Sequence, residues 1–407
     1  MTRALAKTVC IAVIGGLLVW LVITTSFAAY LSRINPAAAL RLQPGNPVAA
    51  VALTDAWLQA GRADAARAMA EAALRSHPLD ADALSRLGQI YDASGDRASA
   101  AVFMAAAARQ SLHDSIAVHW MMQKHLHERD FPTALQWADA LMRTRPDVID
   151  GIAPQLGGIA QDAAARPFLI ALLATNPPWR AAFLARLCLA LSDARTMLDI
   201  LLDLETASAP LSRAEVNVYL DVLLAQGLAK FAYYAWLQLL PSDRLKGAGL
   251  LFNGTFSERP SGAPFDWRIS SGLGAISEII AHSDQPALGV LRISLGPGRI
   301  ELGDVAQIVV LPAARYRLRG SANVQLTGRR GLQWRVACSD GTVIGASSPI
   351  VDTGQDWARF DAIFDVPVTQ CPFQIVQLGL DPSRPSEKLI SGTAFYTEMQ
   401  IVRDPAP

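Results

Sequence analysis

The sequence predicts a multidomain chain that is α-helical first and β-stranded afterwards. It should comprise one transmembrane helix, an α-solenoid and a C-terminal antiparallel β-sandwich. Three observations lead to this fold class. A run from Thr8 to Ser32 contains no charged residue, an apolar pattern then recurs every 34 residues, and after about Lys246 glycine and proline accompany short alternating runs. These are the patterns of a membrane span, a helical repeat and β-strands, respectively.

The uncharged run is long enough to cross about 30 Å of hydrocarbon as a helix. Arg3 and Lys7 precede it, so the positive-inside bias places residues 1–7 in the cytoplasm and residues 8–31 in the membrane. The rest of the chain then lies outside, which in a bacterium means a single-pass inner-membrane protein with a periplasmic body.

A cleaved secretory signal is the alternative interpretation of the same segment. Ser26 and Ala28 offer small residues after an apolar core, as a cleavage site requires. We favour the uncleaved anchor because the apolar run exceeds the usual signal core of about 7–15 residues. Both interpretations export the remainder of the chain.

The charge balance argues against nucleic-acid binding as the function. The chain carries 36 basic and 36 acidic side chains and no net charge. It therefore lacks the global positive field that nucleic-acid binding requires. We expect no nucleic-acid partner.

Four cysteines divide between the regions. Cys10 lies in the apolar run and Cys188 in an apolar helical segment, whereas Cys338 and Cys371 lie among predicted strands. An exported compartment permits those two to form a disulfide, which would contribute on the order of 3–4 kcal/mol in the chain-entropy model. The alternative is that both are small buried apolar side chains, since spacing alone does not show that they meet.

Residues 32–146 carry the 34-residue repeat. One phase holds Ala66, Ala100 and Ala134; a second holds Ala39, Ala73 and Ala107; a third holds Pro44, Pro78 and Pro146. Together with Leu84, Leu87, Gly88 and Tyr91, this pattern resembles the tetratricopeptide repeat. That family implies helix hairpins that stack into a solenoid with a groove for protein partners. Turns between paired helices are expected at Gly61 and Gly95.

The match weakens along the chain. In the third unit, Met122 and His125 stand where Gly88 and Tyr91 stood before. Residues 147–245 keep helical apolar periodicity without the repeat register, so we expect degenerate helical pairs there. Gly157-Gly158 and Pro177-Pro178 are expected to interrupt them.

Three histidines on one predicted helix suggest a metal site, but their spacing does not favour it. His119, His125 and His127 are six and two residues apart, whereas ligands on one helix face need spacings of three or four. We therefore predict no metal site and no cofactor.

The region 246–407 reads as a β domain. Its landmarks resemble those of carbohydrate-binding modules with a jelly-roll β-sandwich fold: an Asn-Gly-x-Phe start, a tryptophan, a Pro-x-x-x-Tyr-x-Leu strand and a tryptophan before a Phe-rich strand. The matching residues are Asn253, Gly254, Phe256, Trp267, Pro312, Tyr316, Leu318, Trp357, Phe360 and Phe364. The resemblance implies a sandwich that can contact a glycan.

Strand alternation predicts which side chains face outward. Three strands should bury Tyr316, Trp334 and Leu378 and expose polar side chains on the other side. If these strands share one sheet, its outer face carries candidate ligand-binding donors and amides suited to hydroxyls or carboxylates. These are Arg317, Arg319, Gln333, Arg335 and Gln377. The alternative is a solvated face without a ligand.

These features favour a non-enzymatic scaffold. It would hold protein partners in the repeat groove and a glycan or another subunit on the sandwich, in surface polysaccharide synthesis or export. A scaffold for a secretion or pilus assembly without sugar binding is a second hypothesis. A glycan-modifying enzyme is the third, and the absence of a recognisable catalytic constellation in the sequence disfavours it.

Overall fold

The computed structural model describes residues 2–245, 248–282, 285, 288–381 and 389–404, with only the backbone described for residues 2–12. It divides into two compact units, Met1–Arg186 and Leu187–Pro407. The predicted fold class is confirmed, because helices are followed by two antiparallel sheets.

Helices alone build the first unit. After the long N-terminal helix α1 (Thr2–Ile34), short hairpins follow one another to the end of the unit. Their bounds are α2 (Pro36–Leu42), α3 (Pro47–Gln59), α4 (Ala63–Ser76), α5 (Ala81–Ala93), α6 (Arg97–Gln110), α7 (Ser115–His127), α8 (Phe131–Thr144), a 3-10 turn (Pro146–Val148), α9 (Ile149–Gln161), α10 (Arg166–Ala174) and α11 (Arg180–Ala190), which runs into the second unit.

The N-terminal helix carries the apolar run. Among the described residues, one helical stretch, Val13–Ile34, is long enough and apolar enough to span a membrane. A signal sequence near an N-terminus meets the same two criteria.

The repeat register sets where the helices start and stop. Asn46, Asp80 and Asp114 cap α3, α5 and α7 by accepting backbone N–H bonds from the first turn, which satisfies groups that a helix leaves unpaired. Gly61 and Gly95 take positive φ at the turns between paired helices, as predicted. In the third hairpin Arg129 stands at the equivalent position with φ 58°.

Small residues let paired helices approach closely. A Cβ atom added to Gly88 would lie 2.7 Å from Met104 Cγ on the partner helix. Ala66, Ala70 and Leu87 form a buried cluster between successive hairpins. In the third hairpin Met122 is fully buried, so the change from the repeat pattern alters the packing residues and keeps the hairpin.

One predicted interruption after the repeats is wrong and one is confirmed. Helix α9 runs through Gly157 and Gly158 without a break, since helical packing on both sides outweighs the weak helix propensity of glycine. The chain does leave the helix at Pro177-Pro178, between α10 and α11.

The second unit adds four helices and a sandwich. The helices are α12 (Ala194–Thr206), α13 (Arg213–Ala225), α14 (Ala229–Leu239) and α15 (Ser242–Leu245). The strands are β1 (Arg268–Ile269), β2 (Ala275–Ala281), β3 (Gly289–Leu295), β4 (Val305–Val309), β5 (Arg315–Thr327), β6 (Leu332–Cys338), β7 (Val343–Ala346), β8 (Ala358–Asp365), β9 (Gln374–Leu380) and β10 (Ser391–Arg403).

Two five-stranded sheets enclose the core. Sheet I has the order β1-β4-β9-β6-β7 and sheet II the order β2-β3-β10-β5-β8, with antiparallel neighbours throughout. Side chains from both sheets interdigitate in one apolar cluster that includes Trp267, Tyr316, Trp334 and Leu378. The inward positions predicted by alternation therefore form the core.

Several of the residues that carry the family resemblance make contacts that stabilise the sandwich. The Trp267 indole N–H donates to the Asn253 carbonyl at 3.0 Å, and the Tyr316 hydroxyl donates to the Pro312 carbonyl at 3.0 Å. A Cβ on Gly254 would lie 1.8 Å from the Met399 carbonyl oxygen, so only glycine fits this approach.

One disulfide and one buried carboxylate stabilise the loops of the sandwich. Cys338, at the end of β6, forms a disulfide with Cys371, just before β9. Asp266 is fully buried and accepts hydrogen bonds from the Ser261 backbone N–H at 2.7 Å and from the Arg244 guanidinium at 3.3 Å. Its charge is thus compensated inside the protein.

Candidate functional site

The five predicted ligand-binding residues do not lie on one sheet. Arg317 and Arg319 are on β5 of sheet II, whereas Gln333 and Arg335 on β6 and Gln377 on β9 belong to sheet I. The single polar face expected from the sequence is therefore corrected to two separate faces. The reason is topological: β5 and β6 are consecutive in the chain, yet β5 pairs with β10 and β8 while β6 pairs with β9 and β7.

Two of the three residues on sheet I, Gln333 and Arg335, are hydrogen-bonded to each other and to the backbone. Arg335 donates through Nε to Gln333 Oε1 at 3.1 Å and through Nη2 to the Leu380 carbonyl. Gln333 donates to the Ser347 carbonyl at 2.7 Å. Burial lowers the pKa of the Arg335 guanidinium, and the neighbouring Arg330 acts in the same direction.

These side chains line a shallow polar hollow. It has a volume of about 390 Å³ and is bordered by Asp304, Arg330, Arg335 and Gln377. Much of the hydrogen-bonding capacity of Arg335 is already used inside the protein, which leaves this hollow fewer donors for a ligand.

The two arginines on sheet II differ in their partners. Arg317 lies 2.6 Å from Asp361 and 3.4 Å from Asp404, so two carboxylates already hold it. Arg319 donates to Gln400 Oε1 at 3.2 Å. It borders a hollow of about 220 Å³ together with Ser321, Arg359, Glu398 and Gln400.

An aromatic ring stands in the middle of sheet II. Phe395 is half-buried on β10, while its neighbours Ala394 and Tyr396 are in the core. Its cross-strand partners are Arg292 on β3 and Asn323 on β5. Phe395 therefore points outward with polar side chains on both sides.

A second aromatic ring lies in the loop before β8. Trp357 is 39% exposed, and its ring stacks on that of His282 with centroids 5.5 Å apart. The loop is tied to β5, because Asn323 donates to the Gln355 carbonyl at 3.0 Å and Gln325 to the Gly354 carbonyl at 3.2 Å. The sequence resemblance had marked Trp357 as a structural residue, and the structure exposes it.

We call the outward side of this sheet the sheet II face. Its central residues are the aromatic Phe395, the carboxamides Asn323, Gln325 and Gln400, and the guanidinium groups of Arg319 and Arg359. Sequence analysis missed Phe395 because alternation alone did not show whether it or Tyr396 faces the core. An apolar ring flanked by forked donors can hold a ligand that has both C–H surface and hydroxyl or carboxylate groups.

The solenoid contains a groove along the first helices of its hairpins. It has a volume of about 670 Å³ and is bordered by residues of α5, α7 and α9. Ile116 and Trp120 contribute apolar surface, and Gln123 donates to Gln155 Oε1 at 2.5 Å. The other lining residues include Gln89, Asp92, Met104, His119 and Ile152.

The three histidines of α7 do not converge. His119 lies 3.3 Å from Gln155 Oε1, His125 Nδ1 lies 3.1 Å from Asp130 Oδ2, and His127 Nδ1 lies 2.7 Å from the Gln123 carbonyl. Each thus has its own partner. Within the described ranges of the chain, no group of three or more His, Cys, Asp or Glu side chains is placed to hold a metal ion.

No protein-family model matches the chain, and no curated protein matches it. Solved structures match its parts. A structure of CBM4 is 17% identical, with a TM-score of 0.29, and the match covers 38% of this chain and 99% of that one. The CBM22-1 xylan-binding domain of Paenibacillus barcinonensis Xyn10C is 15% identical, with a TM-score of 0.25 and coverage of 35% and 87%.

The helical part has its own similar structure. A tetratricopeptide repeat protein from Parabacteroides merdae is 14% identical, with a TM-score of 0.25 and coverage of 55% of this chain and 91% of that one. The chain's own helix register and sheet order show helix hairpins followed by a sandwich of two antiparallel five-stranded sheets.

Proposed function

We propose that this protein is a non-enzymatic, membrane-anchored scaffold that binds a protein partner in the solenoid groove and a glycan on the sheet II face. The scaffold works on the periplasmic side of a bacterial inner membrane, in the synthesis or export of a surface polysaccharide. The observation that carries the glycan assignment is Phe395, an outward ring between Arg292 and Asn323.

The chemistry of the sheet II face suits a polysaccharide. A sugar ring has an apolar C–H side that packs on an aromatic ring, and hydroxyls at its rim that bond to carboxamides. Arg319 and Arg359 add forked donors that match carboxylates, so an acidic glycan is the preferred ligand. Arg317 contributes less, because Asp361 and Asp404 hold its guanidinium.

The groove suits a protein segment. It combines the apolar side chains Ile116, Trp120 and Ile152 with the carboxamides Gln89, Gln123 and Gln155 on three successive first helices. Apolar side chains of a partner fill such a groove while carboxamides bond to its backbone N–H and C=O groups.

Two features support export of the body of the chain. The apolar stretch Val13–Ile34 meets the length requirement of a membrane anchor. The disulfide between Cys338 and Cys371 belongs to an oxidising compartment, since cytosolic thiols are kept reduced. Alkaline phosphatase fused behind the sandwich should be active in intact cells, and activity of a cytosolic reporter instead would contradict this location.

The carboxylates near the sheet II face support a binding role over catalysis. Asp361 pairs with Arg317 at 2.6 Å, and Glu398 accepts a hydrogen bond from Ser321 at 2.9 Å. Glycoside hydrolysis needs one acid and one base or nucleophile flanking the substrate. Here both carboxylates are engaged by neighbouring side chains, and so is Glu278, which pairs with Arg292.

Affinity electrophoresis of the full chain in detergent, with acidic and neutral polysaccharides in the gel, tests the glycan assignment. Phe395→Ala and Arg319→Ala should each weaken binding roughly ten-fold or more. The first removes an apolar ring, whose burial contributes about 1.5–3 kcal/mol, and the second removes a charge-assisted hydrogen bond of about 1.5–3 kcal/mol. Arg335→Ala on sheet I is the matched control and should bind as the unmodified protein does. Equal retardation of all four proteins would refute the assignment to this face.

Cross-linking from the groove tests the protein partner. A photoreactive residue in place of Ile116 should capture a protein in cells, whereas one in place of the exposed Val102 on α6 should not. Capture of secretion or pilus components, together with no glycan binding by the full chain, would favour the assembly-scaffold alternative.

A further inference from the structure

One edge of the solenoid carries a regular row of arginines. Arg41, Arg75, Arg109 and Arg143 lie 34 residues apart, each in the last turn of the second helix of a hairpin. All four are exposed. Because each hairpin repeats the one before it, equal spacing in sequence places these guanidinium groups in a row along one edge.

Exposed apolar side chains occupy the same edge. Leu42, Val48, Leu79 and Leu112 lie in or beside the turns that follow the arginine-bearing helices, and Leu79 is the most exposed of them at 69%. Surface leucines are common singly, but here they recur at successive turns. We call this surface the arginine edge: the four arginines with these four apolar residues.

The N-terminal part of α1 lies on the same side of the solenoid as the arginine edge. The chain reverses at Asn35, and α2 packs back along α1. The end of α2, with Arg41 and Leu42, therefore points toward the N-terminal part of α1. That part holds the apolar run.

The length of α1 leaves no spacer between the run and the solenoid. Among the residues whose side chains are described, from Val13 onward, Ala28 is the first fully buried one of the helix, and Ser32 follows it one turn later. The uncharged stretch from Thr8 to Phe27 is about 30 Å long at 1.5 Å per residue, which matches the hydrocarbon thickness of a bilayer. The first hairpin must then lie at the depth of the lipid headgroups.

The ordinary role of a terminal arginine does not account for the whole edge. A cation in the last turn stabilises the helix dipole, but that effect places no leucine beside it. The acidic side chains of this edge are mostly engaged. Asp80 and Asp114 cap α5 and α7, and Asp147 pairs with Arg145. Asp139 holds Arg143, which therefore contributes less than the other three arginines, and Glu71 lies one turn before Arg75. The exposed Asp82 on α5 is the exception.

We propose that the arginine edge rests on the surface of the membrane that holds α1, with its arginines on anionic lipid headgroups and its apolar side chains at the interface. The inference rests on the proposed membrane anchor. Basic residues near an anionic bilayer are attracted to it, and leucines beside them gain burial at the headgroup boundary. The solenoid then contacts the bilayer through the arginine edge.

The test uses the full chain in vesicles of phosphatidylcholine with and without phosphatidylglycerol. In a background with Cys10→Ser and Cys188→Ala, a fluorophore is attached at Leu79→Cys or, on the opposite edge, at Ser94→Cys. Quenching by headgroup-labelled lipid should be roughly three-fold stronger or more at position 79 than at position 94 when phosphatidylglycerol is present. Resistance to alkaline carbonate extraction reports insertion of α1 independently.

Charge variants complete the design. Arg41→Gln with Arg75→Gln, Arg109→Gln and Arg143→Gln should remove the extra quenching that phosphatidylglycerol causes and leave insertion unchanged. Arg41→Gln with Arg75→Gln alone should already reduce it. Arg62→Gln with Arg97→Gln, on the opposite edge, removes the same number of charges as that pair, is its matched control and should keep it. Equal quenching at positions 79 and 94 in an inserted protein would overturn the proposal alone. Loss of the chain to carbonate would overturn the anchor as well.

Discussion

Removal of the disulfide should destabilise the sandwich by an amount that its loop length sets. Cys338 and Cys371 are 33 residues apart. In the chain-entropy model, closing such a loop lowers the entropy of the unfolded chain by about 12.5 cal/mol/K, or about 3.7 kcal/mol at 25 °C. For the unit Leu187–Pro407, an unfolding entropy of about 2.1 cal/mol/K per residue converts this into a fall of about 8 °C in Tm.

Urea unfolding of the full chain in detergent, followed by tryptophan fluorescence, measures this loss. Cys338→Ala with Cys371→Ala should lower the free energy of unfolding by about 3.7 kcal/mol, and the reduced unmodified protein should behave alike. Cys188→Ala removes the buried free cysteine of the same unit and controls for thiol loss. A change below about 1 kcal/mol in the double variant would refute the loop-entropy reasoning.

Three further single substitutions probe the second unit. Asp266→Ala should cost about 1–3 kcal/mol in urea unfolding, because it leaves the partly buried Ser261 N–H without its acceptor, while Arg244 keeps Glu258 as a partner. Tyr396→Phe should raise stability by about 1 kcal/mol in the same assay, since the buried hydroxyl has no hydrogen-bond partner. Burial raises the pKa of the Cys188 thiol to about 12. Its stabilising effect is therefore present below an ordinary thiol pKa of about 8.5 and is lost as pH rises toward 12. Cys188→Ala should flatten the pH dependence of unfolding in that window, and identical slopes would contradict the shift.

Local pattern was sufficient to predict most of the helical part. The 34-residue register gave the hairpins, the turn glycines Gly61 and Gly95 and the buried alanines, because each depends on residues close in sequence. Gly157 and Gly158 failed as a break because the packing around α9 is a tertiary effect that propensity does not contain.

The sandwich shows where sequence reasoning stops. Alternation correctly separated inward from outward side chains, for instance Trp334 from Arg335. It could not assign strands to sheets, since pairing is non-local, and so it merged the Arg319 face with the Arg335 face. Phe395 was missed, and the exposure of the landmark residue Trp357 was not foreseen, for a related reason: exposure of an aromatic ring depends on neighbours that only the folded chain brings together.

The most direct test of the account replaces Phe395 with a photoreactive phenylalanine analogue in the full chain and irradiates intact cells. The account predicts an adduct that carries saccharide and is removed by a glycan-degrading enzyme, with no such adduct when the analogue replaces the exposed Val368. An adduct that consists of protein alone would contradict glycan binding by the sheet II face.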